Sequence, residues 1–180
     1  MASKQALRDL QARLAERLSA ARTEPRGKSW LAVECAGRGL LFPLPEAGEI
    51  FAPVPVLPVP YSAPWFIGVA NLRGHLHGVV DLAVFLGLEA ASQRAAPVEG
   101  GGREQARLVG FNQAYELNCV LWVDRLAGLR GETDLAAEPA AAPGRPAFAG
   151  ALYHDKSGRV WQELNLAELA VDDAFLKIAR

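Results

Sequence analysis

A chain of 180 residues, 51% of them hydrophobic, has the length of one domain or of two very small ones, and enough apolar material for a packed core. Its 19 Lys and Arg nearly cancel its 20 Asp and Glu, for a formal net charge of −1. That balance argues against nucleic-acid binding and against a polybasic membrane anchor, both of which rest on clustered positive charge.

The opening stretch, "MASKQALRDLQARLAERLSAAR", is interrupted by charges and lacks the apolar centre of a signal peptide. No apolar run is long enough for a membrane-spanning helix. Leu7, Leu10, Leu14, Leu18 and Ala21 recur at spacings of three and four, which predicts an amphipathic helix over 3–22. Arg8, Arg13, Glu16 and Arg17 occupy its other faces, and Pro25 and Gly27 end it. Its apolar stripe suits either its own domain or a partner.

From Trp30 the period changes to two. "WLAVEC" places Leu31, Val33 and Cys35 on one side of a strand, "AGRG" reads as a turn, and "LLFPL" as the returning strand. In "PEAGEIFAPVPVLPVPYSAP" the prolines recur so often that an irregular loop is expected to about Pro64, with Ser62 capping a helical turn around Trp65 and Phe66. "GVANLRGHLHGVV" reads as two strands about a turn at Arg73-Gly74. In its second arm Leu76, Gly78 and Val80 share one face, and His75, His77 and Val79 the other. Asp81 is placed to cap a short helix, "LAVFLGL", that stops at Gly87.

A small-residue, glycine-rich linker follows over about 89–105. Strands return at "ARLVGFN" and "YELNCVLWVDRLAGLRG", and "ETDLAAEPAAAPGRPA" reads as a second loose loop. "FAGALYHDKSGRVWQEL" has the turn chemistry of a hairpin. Asn165 is expected to cap "LAELA" with Glu168 in the capping-box position, before a last short helix over Asp172 to Ala179. Trp30, Trp122 and Trp161 sit on strands as core residues, Trp65 sits at the edge of the proline-rich loop, and Asp124 is placed as a turn former. Cys35 and Cys119, each in an apolar run, read as reduced, buried thiols. Many short strands with small helices between and after them favour a β-barrel or sandwich over βαβ units. "GVVDLAVFLGL" and "VLWVDRLAGL" share Val-Asp before an apolar run, a faint internal echo.

No phosphate loop, GxSxG, HExxH or GxGxxG occurs. The one histidine cluster is His75 and His77, on the same face of a strand. A metal held by both needs a third ligand, Asp81 or His154, and a small metal-dependent hydrolase using His75, His77 and Asp81 is the enzymatic alternative. Against it stands a plain surface role for both histidines, and a cap role for Asp81. Arg73, at a hairpin tip, is either solvated or paired, with Glu49 the best upstream partner.

"FPLPEAGEIF" followed by "VPVLPVPYSAPWFIGVANLRGHLHGVVDLAVFLGL" resembles the CheW-like adaptor domain of bacterial chemotaxis systems. The matching residues are Glu49-Ile50, the Gly-Val-x-Asn-Leu-Arg-Gly block from Gly68 to Gly74, and Val80-Asp81-Leu82. "VLWVDRLAGL" and the closing hairpin and helix extend the likeness over about residues 30–170. With its N-terminal extension, the chain most resembles the family's members from type IV pilus twitching-motility systems. The resemblance implies a mainly β fold of two small SH3-like five-stranded barrels packed together, the N-terminal helix over 1–26 preceding a CheW-like domain over 27–180 that ends in short helices.

It also implies a non-catalytic, cytoplasmic adaptor at receptor arrays on the inner face of the membrane, with no cofactor and no metal. Such an adaptor bridges the tip of a methyl-accepting receptor to the regulatory domain of a CheA-type histidine kinase. By the same resemblance Glu49, Ile50, Gly68, Val69, Asn71, Leu72, Arg73 and Gly74 shape the receptor-binding groove, with Arg73 paired to Glu49. Kinase-contacting residues stay unassigned. Two departures, "AGEI" for the family's valine before Glu-Ile and His77-Gly78 for its proline after Arg-Gly, fall where the family meets receptors and bear on receptor choice.

Overall fold

A computed structural model of the chain describes residues 27–89, 105–138 and 144–179. The helix expected over 3–22 and most of the 89–105 linker lie outside the described residues. The chain forms β1 (Ser29–Cys35), β2 (Arg38–Pro43), β3 (Ala47–Phe51), β4 (Phe66–Leu72), β5 (His75–Asp81) and the one-turn helix α1 (Leu82–Phe85). It continues with β6 (Arg107–Phe111), β7 (Cys119–Val123), β8 (Arg125–Gly131), β9 (Leu135–Ala137), β10 (Ala149–Asp155), β11 (Val160–Leu164), α2 (Leu166–Ala170) and α3 (Asp173–Leu176).

The strands form two sheets, ordered β8-β1-β2-β11-β10-β9 and β3-β6-β7-β5-β4. Apart from the three-residue β9, the sheets correspond strand for strand. β1–β2 and β6–β7 are antiparallel hairpin-like pairs, β2–β11 and β7–β5 are parallel, and β10–β11 and β4–β5 close each sheet antiparallel. The segment equivalent to β5–Asp81–α1 is therefore β11–Asn165–α2, "VWQELNLAELA". Sequence echo alone points to "VLWVDRLAGL", but there Val123-Asp124 leads into a strand, so that echo does not mark the repeat.

Each strand near the centre is buried on both faces, which is why "WLAVEC" and "VLWV" are apolar at every other position and nearly so between. Leu31, Val33 and Cys35 of β1 join Val80, Val109, Phe111, Leu121 and Val123 in a core between the two sheets. The alternate residues Trp30 and Ala32 pack with Leu41, Tyr153 and Trp161 inside the first barrel. Leu72, Val79, Leu108, Val120 and Trp122 fill the second. Phe85 and Phe175 of α1 and α3 meet edge to face at 5.2 Å, and Trp65 stacks on Phe175 at 5.9 Å, so the helices plug one end of the inter-sheet core. Cys35 and Cys119 are both buried thiols; burial pushes the Cys119 thiol up to about 12.

The buried carboxylate of Glu34 is paired across long sequence separations. Glu34, 9% exposed, accepts hydrogen bonds from Arg125 Nε and Nη2, each 2.6 Å, and lies 2.5 Å from Arg159 Nη1. Burial alone raises its pKa, but the hydrogen bonds from Arg125 and then Arg159 outweigh it and hold the carboxyl below its ordinary value. Arg159 also lies over the Trp161 ring at 4.6 Å. In the "HDKSG" turn, Asp155 accepts from Ser157 N, Ser157 Oγ, Arg159 N and Trp161 Nε1. These bonds, Ser157's first, hold its carboxyl far below the usual range.

Three expectations are corrected. "AGEIF" is a strand, not loop: β3 pairs with β6 at an edge, and tertiary pairing overrides the proline-rich run that follows. Gly48 permits this, since a Cβ there lies 2.2 Å from Phe111 O. Ser62 caps no helix; its hydroxyl donates to Val59 O at 2.8 Å, and Phe66 opens β4. The "ETDLAAE" loop contains a short 3-10 turn and β9, which pairs with β10.

The helix caps are as expected. Asp81 accepts from Val84 N at 3.2 Å and Asn165 from Glu168 N at 2.9 Å. Losing a cap costs about 1 kcal/mol. Asp81→Ala is therefore expected to lower the melting temperature by roughly 2–4 °C, measured by circular dichroism; an unchanged melt would show that the cap does not hold α1.

Candidate functional site

The β4–β5 hairpin turns on two residues with left-handed backbone, Arg73 at φ 50° and Gly74 at φ 88°. This is the pattern of a two-residue turn whose twist matches its strands. An arginine at the first of these positions needs local support, and Asn71 supplies it: its Oδ1 accepts from Gly74 N at 2.8 Å. The turn aims Arg73 back across the sheet to its far edge, where Nη1 pairs with Glu49 Oε1 of β3. The guanidinium also lies 5.9 Å from the centre of the Phe51 ring. With side chains 74% and 43% exposed, the pair is a solvated one, worth at most about 1 kcal/mol. Its effect is to fix where two charges stand.

Arg73 and Glu49 stand at a cleft of about 460 Å³, with Phe51 and Leu72 on the same wall. A second part of its lining is Gln113, Glu116, Leu117 and Asn118, from the connection between β6 and β7. Nothing in the linear sequence marks that second part; the sheet order β3-β6-β7 brings it there. Glu116 takes a left-handed φ of 51°, so this part ends in a tight turn that presents a carboxylate.

The other expected residues divide by position. Ile50 pairs with Val109, a residue of the inter-sheet core, so it lies on that face and not in the cleft; it is 38% exposed. Leu129 of β8 stands likewise opposite core residue Leu31 and is 61% exposed. β3 and β8 are the outer strands of their sheets, so both leave an apolar side chain at the rim of the inter-sheet core. Leu129 was not singled out in the sequence, where "RLAGLRG" carries no pattern that separates rim from core. Gly68 and Val69 hold the proline-rich loop: Leu57 and Val69 exchange two backbone hydrogen bonds of 2.8 and 2.9 Å. Glu46, also unanticipated, accepts from Leu166 N at 2.6 Å and Ala167 N at 3.1 Å, tying the start of β3 to α2.

His75 and His77 both face the cleft, but the other ligands of a metal centre are elsewhere. Asp81 caps α1, and His154 lies on β10 in the other sheet, 3.7 Å from Glu138. His77 Nδ1 is 3.1 Å from His75 O and its ring is 6.2 Å from that of Phe51. Among the described residues no group of three or more His, Cys, Asp or Glu is placed to hold a metal ion. The hydrolase reading therefore has no assembled centre.

The profile of the CheW-like domain family matches residues 29–174. The chain belongs to the CheW-like family. Protein PilI of Pseudomonas aeruginosa is 34% identical to it over 82 residues, which are 46% of this chain and 46% of PilI. The match thus spans about half the length of that relative. The crystal structure of the scaffolding protein TtCheW from Thermoanaerobacter tengcongensis superposes with a TM-score of 0.62 at 18% identity, covering 80% of this chain and 88% of TtCheW. The CheW-like fold is thereby shown. The Arg73–Glu49 contact stands between the outermost strands of the second CheW-like barrel. Among the described residues no helix is long and apolar enough to cross a membrane.

Proposed function

We propose that this chain is a non-catalytic adaptor. It couples the cytoplasmic tip of a methyl-accepting receptor to the regulatory domain of a CheA-type histidine kinase, in a pathway that controls type IV pilus twitching motility. The observation that carries the reading is the Arg73–Glu49 pair at the mouth of a cleft, next to the apolar rim of Ile50 and the adjoining core. A receptor tip is a helical hairpin with an amphipathic surface; an apolar rim with a few fixed polar groups is what reads such a helix. Glu49 and Arg73 make the contact surface, with Leu72 buried beneath them; Asn71 and Gly74 hold its turn, and Gly68 and Val69 fix the loop behind it. The pilus assignment rests on the likeness to PilI. Residues 27–180 act as the adaptor unit, with 1–26 as an extension, on the inner face of the membrane.

Titration of a receptor-tip fragment into the purified protein tests the site. Arg73→Ala is expected to weaken receptor binding about tenfold, or ~1.4 kcal/mol. It leaves the melting temperature within about 2 °C, because an exposed pair contributes little to folding. Wild-type receptor affinity in folded Arg73→Ala protein would overturn the assignment.

A further inference from the structure

A second cleft, of about 850 Å³, opens at the start of β1. It is lined by Gly27–Trp30 and Pro43–Glu46, neighbouring strand ends joined by Leu44 N donating to Ser29 O at 2.9 Å, and by Glu163 and Asn165. Leu44 is 39% exposed there. Its charge is one-sided. Glu46 and Glu163 line it, Glu132 stands beside it with Oε2 accepting from Lys28 N at 3.3 Å, and Lys28 is the one cation among the lining residues. Glu46 spends one oxygen on the α2 backbone and keeps the other; Glu163 accepts from Trp30 Nε1 at 2.8 Å on Oε1 and from Ala151 N at 3.3 Å on Oε2, which leaves it only a second lone pair on each oxygen.

The chain leaves this cleft at Gly27, so everything before that residue starts from its rim. That preceding stretch is basic: Lys4, Arg8, Arg13, Arg17, Arg22 and Arg26 stand against Asp9, Glu16 and Glu24. The remainder of a chain of net charge −1 is correspondingly acidic. The same stretch has an apolar stripe, Leu7, Leu10, Leu14 and Leu18, which the proposed adaptor role leaves unused. We propose that residues 3–22 dock on their own domain at this cleft, with the leucine stripe against Leu44 and the flanking prolines, and arginines against Glu46, Glu132 and Glu163. A tether of a few residues gives an effective concentration near millimolar, so a contact too weak to hold two molecules together suffices within one.

Disulfide trapping in the full-length chain tests this without any receptor or kinase. Leu44→Cys is combined in turn with Leu7→Cys, Leu10→Cys and Leu14→Cys under mild oxidation; the two native thiols are buried. An intramolecular disulfide is expected to form preferentially in one register. Reversing Arg8, Arg13 and Arg17 to Glu is expected to cut its yield at least fivefold, with circular dichroism checking that the barrels stay folded. No trapping in any register, or trapping only between chains, would overturn the proposal. Trapping that the charge reversal leaves unchanged would overturn its electrostatic basis. Hydrogen exchange supplies an arm free of cysteine substitution: the Leu44 and Glu46 amides should exchange faster in the charge-reversed protein, and equal rates would count against docking.

Discussion

Glu34→Ala is expected to be among the most destabilising single changes in the chain, by about 2–4 kcal/mol. At this size that is a fall in melting temperature of roughly 5–12 °C. Glu34 joins three elements far apart in sequence: it sits on β1, Arg125 opens β8, and Arg159 precedes β11. Truncation leaves two guanidiniums facing each other with no counter-charge and removes three short bonds. Glu34→Gln keeps the shape and part of the bonding, so it should fall between. The pH dependence has a definite sign. Because the folded-state pKa lies below the unfolded value, the carboxylate's contribution is full above the unfolded pKa, about 4.3, and is lost as the pH falls through the folded one. The difference in melting temperature between wild type and Glu34→Ala should therefore be largest near neutrality and shrink on acidification. A difference that grew below pH 4 would contradict the pairing.

Gly68→Ala should cost about 3 kcal/mol, or roughly 6–12 °C, for two reasons that add. Its φ of 142° is one that residues with a side chain rarely adopt, and a Cβ there lies 2.2 Å from the carbonyl oxygen of Leu57. The nearest atom is backbone, so no side chain can swing aside. Either β4 shifts or the proline-rich loop detaches, and both break the paired bonds between Leu57 and Val69. Hydrogen exchange distinguishes this from general loosening: the Leu57 and Val69 amides should lose protection before those of β6 and β7. Thermal stability equal to wild type would mean that the loop is not held there.

What the sequence made legible follows from how local each signal is. The β4–β5 hairpin, the Asp81 and Asn165 caps and the "HDKSG" turn each depend on residues within four positions of one another, and all are where the pattern put them. The face of β5 that carries Val80 was readable for the same reason. β3 was not, because its strand character comes from pairing with β6, more than fifty residues away, while its own neighbourhood is dominated by prolines. The cleft splits the same way. Asn71, Arg73 and Gly74 are visible as a turn; the residues leave Arg73 either solvated or paired with Glu49, and the family likeness favours the pair. The lining around Glu116 and the rim residue Leu129 exist only once the sheet order is known. The buried Glu34 clamp had no local signature either, since one acidic residue in "WLAVEC" reads as an ordinary exposed strand position.

The most direct test of the adaptor account is a three-component binding measurement. The protein is titrated with the kinase regulatory domain from the same organism, then with a receptor-tip fragment, and the mass of the resulting complex is determined by light scattering. The account predicts saturable binding of each partner and a ternary complex containing both. Folded protein that bound neither partner, or that released the kinase domain whenever receptor was added, would contradict it.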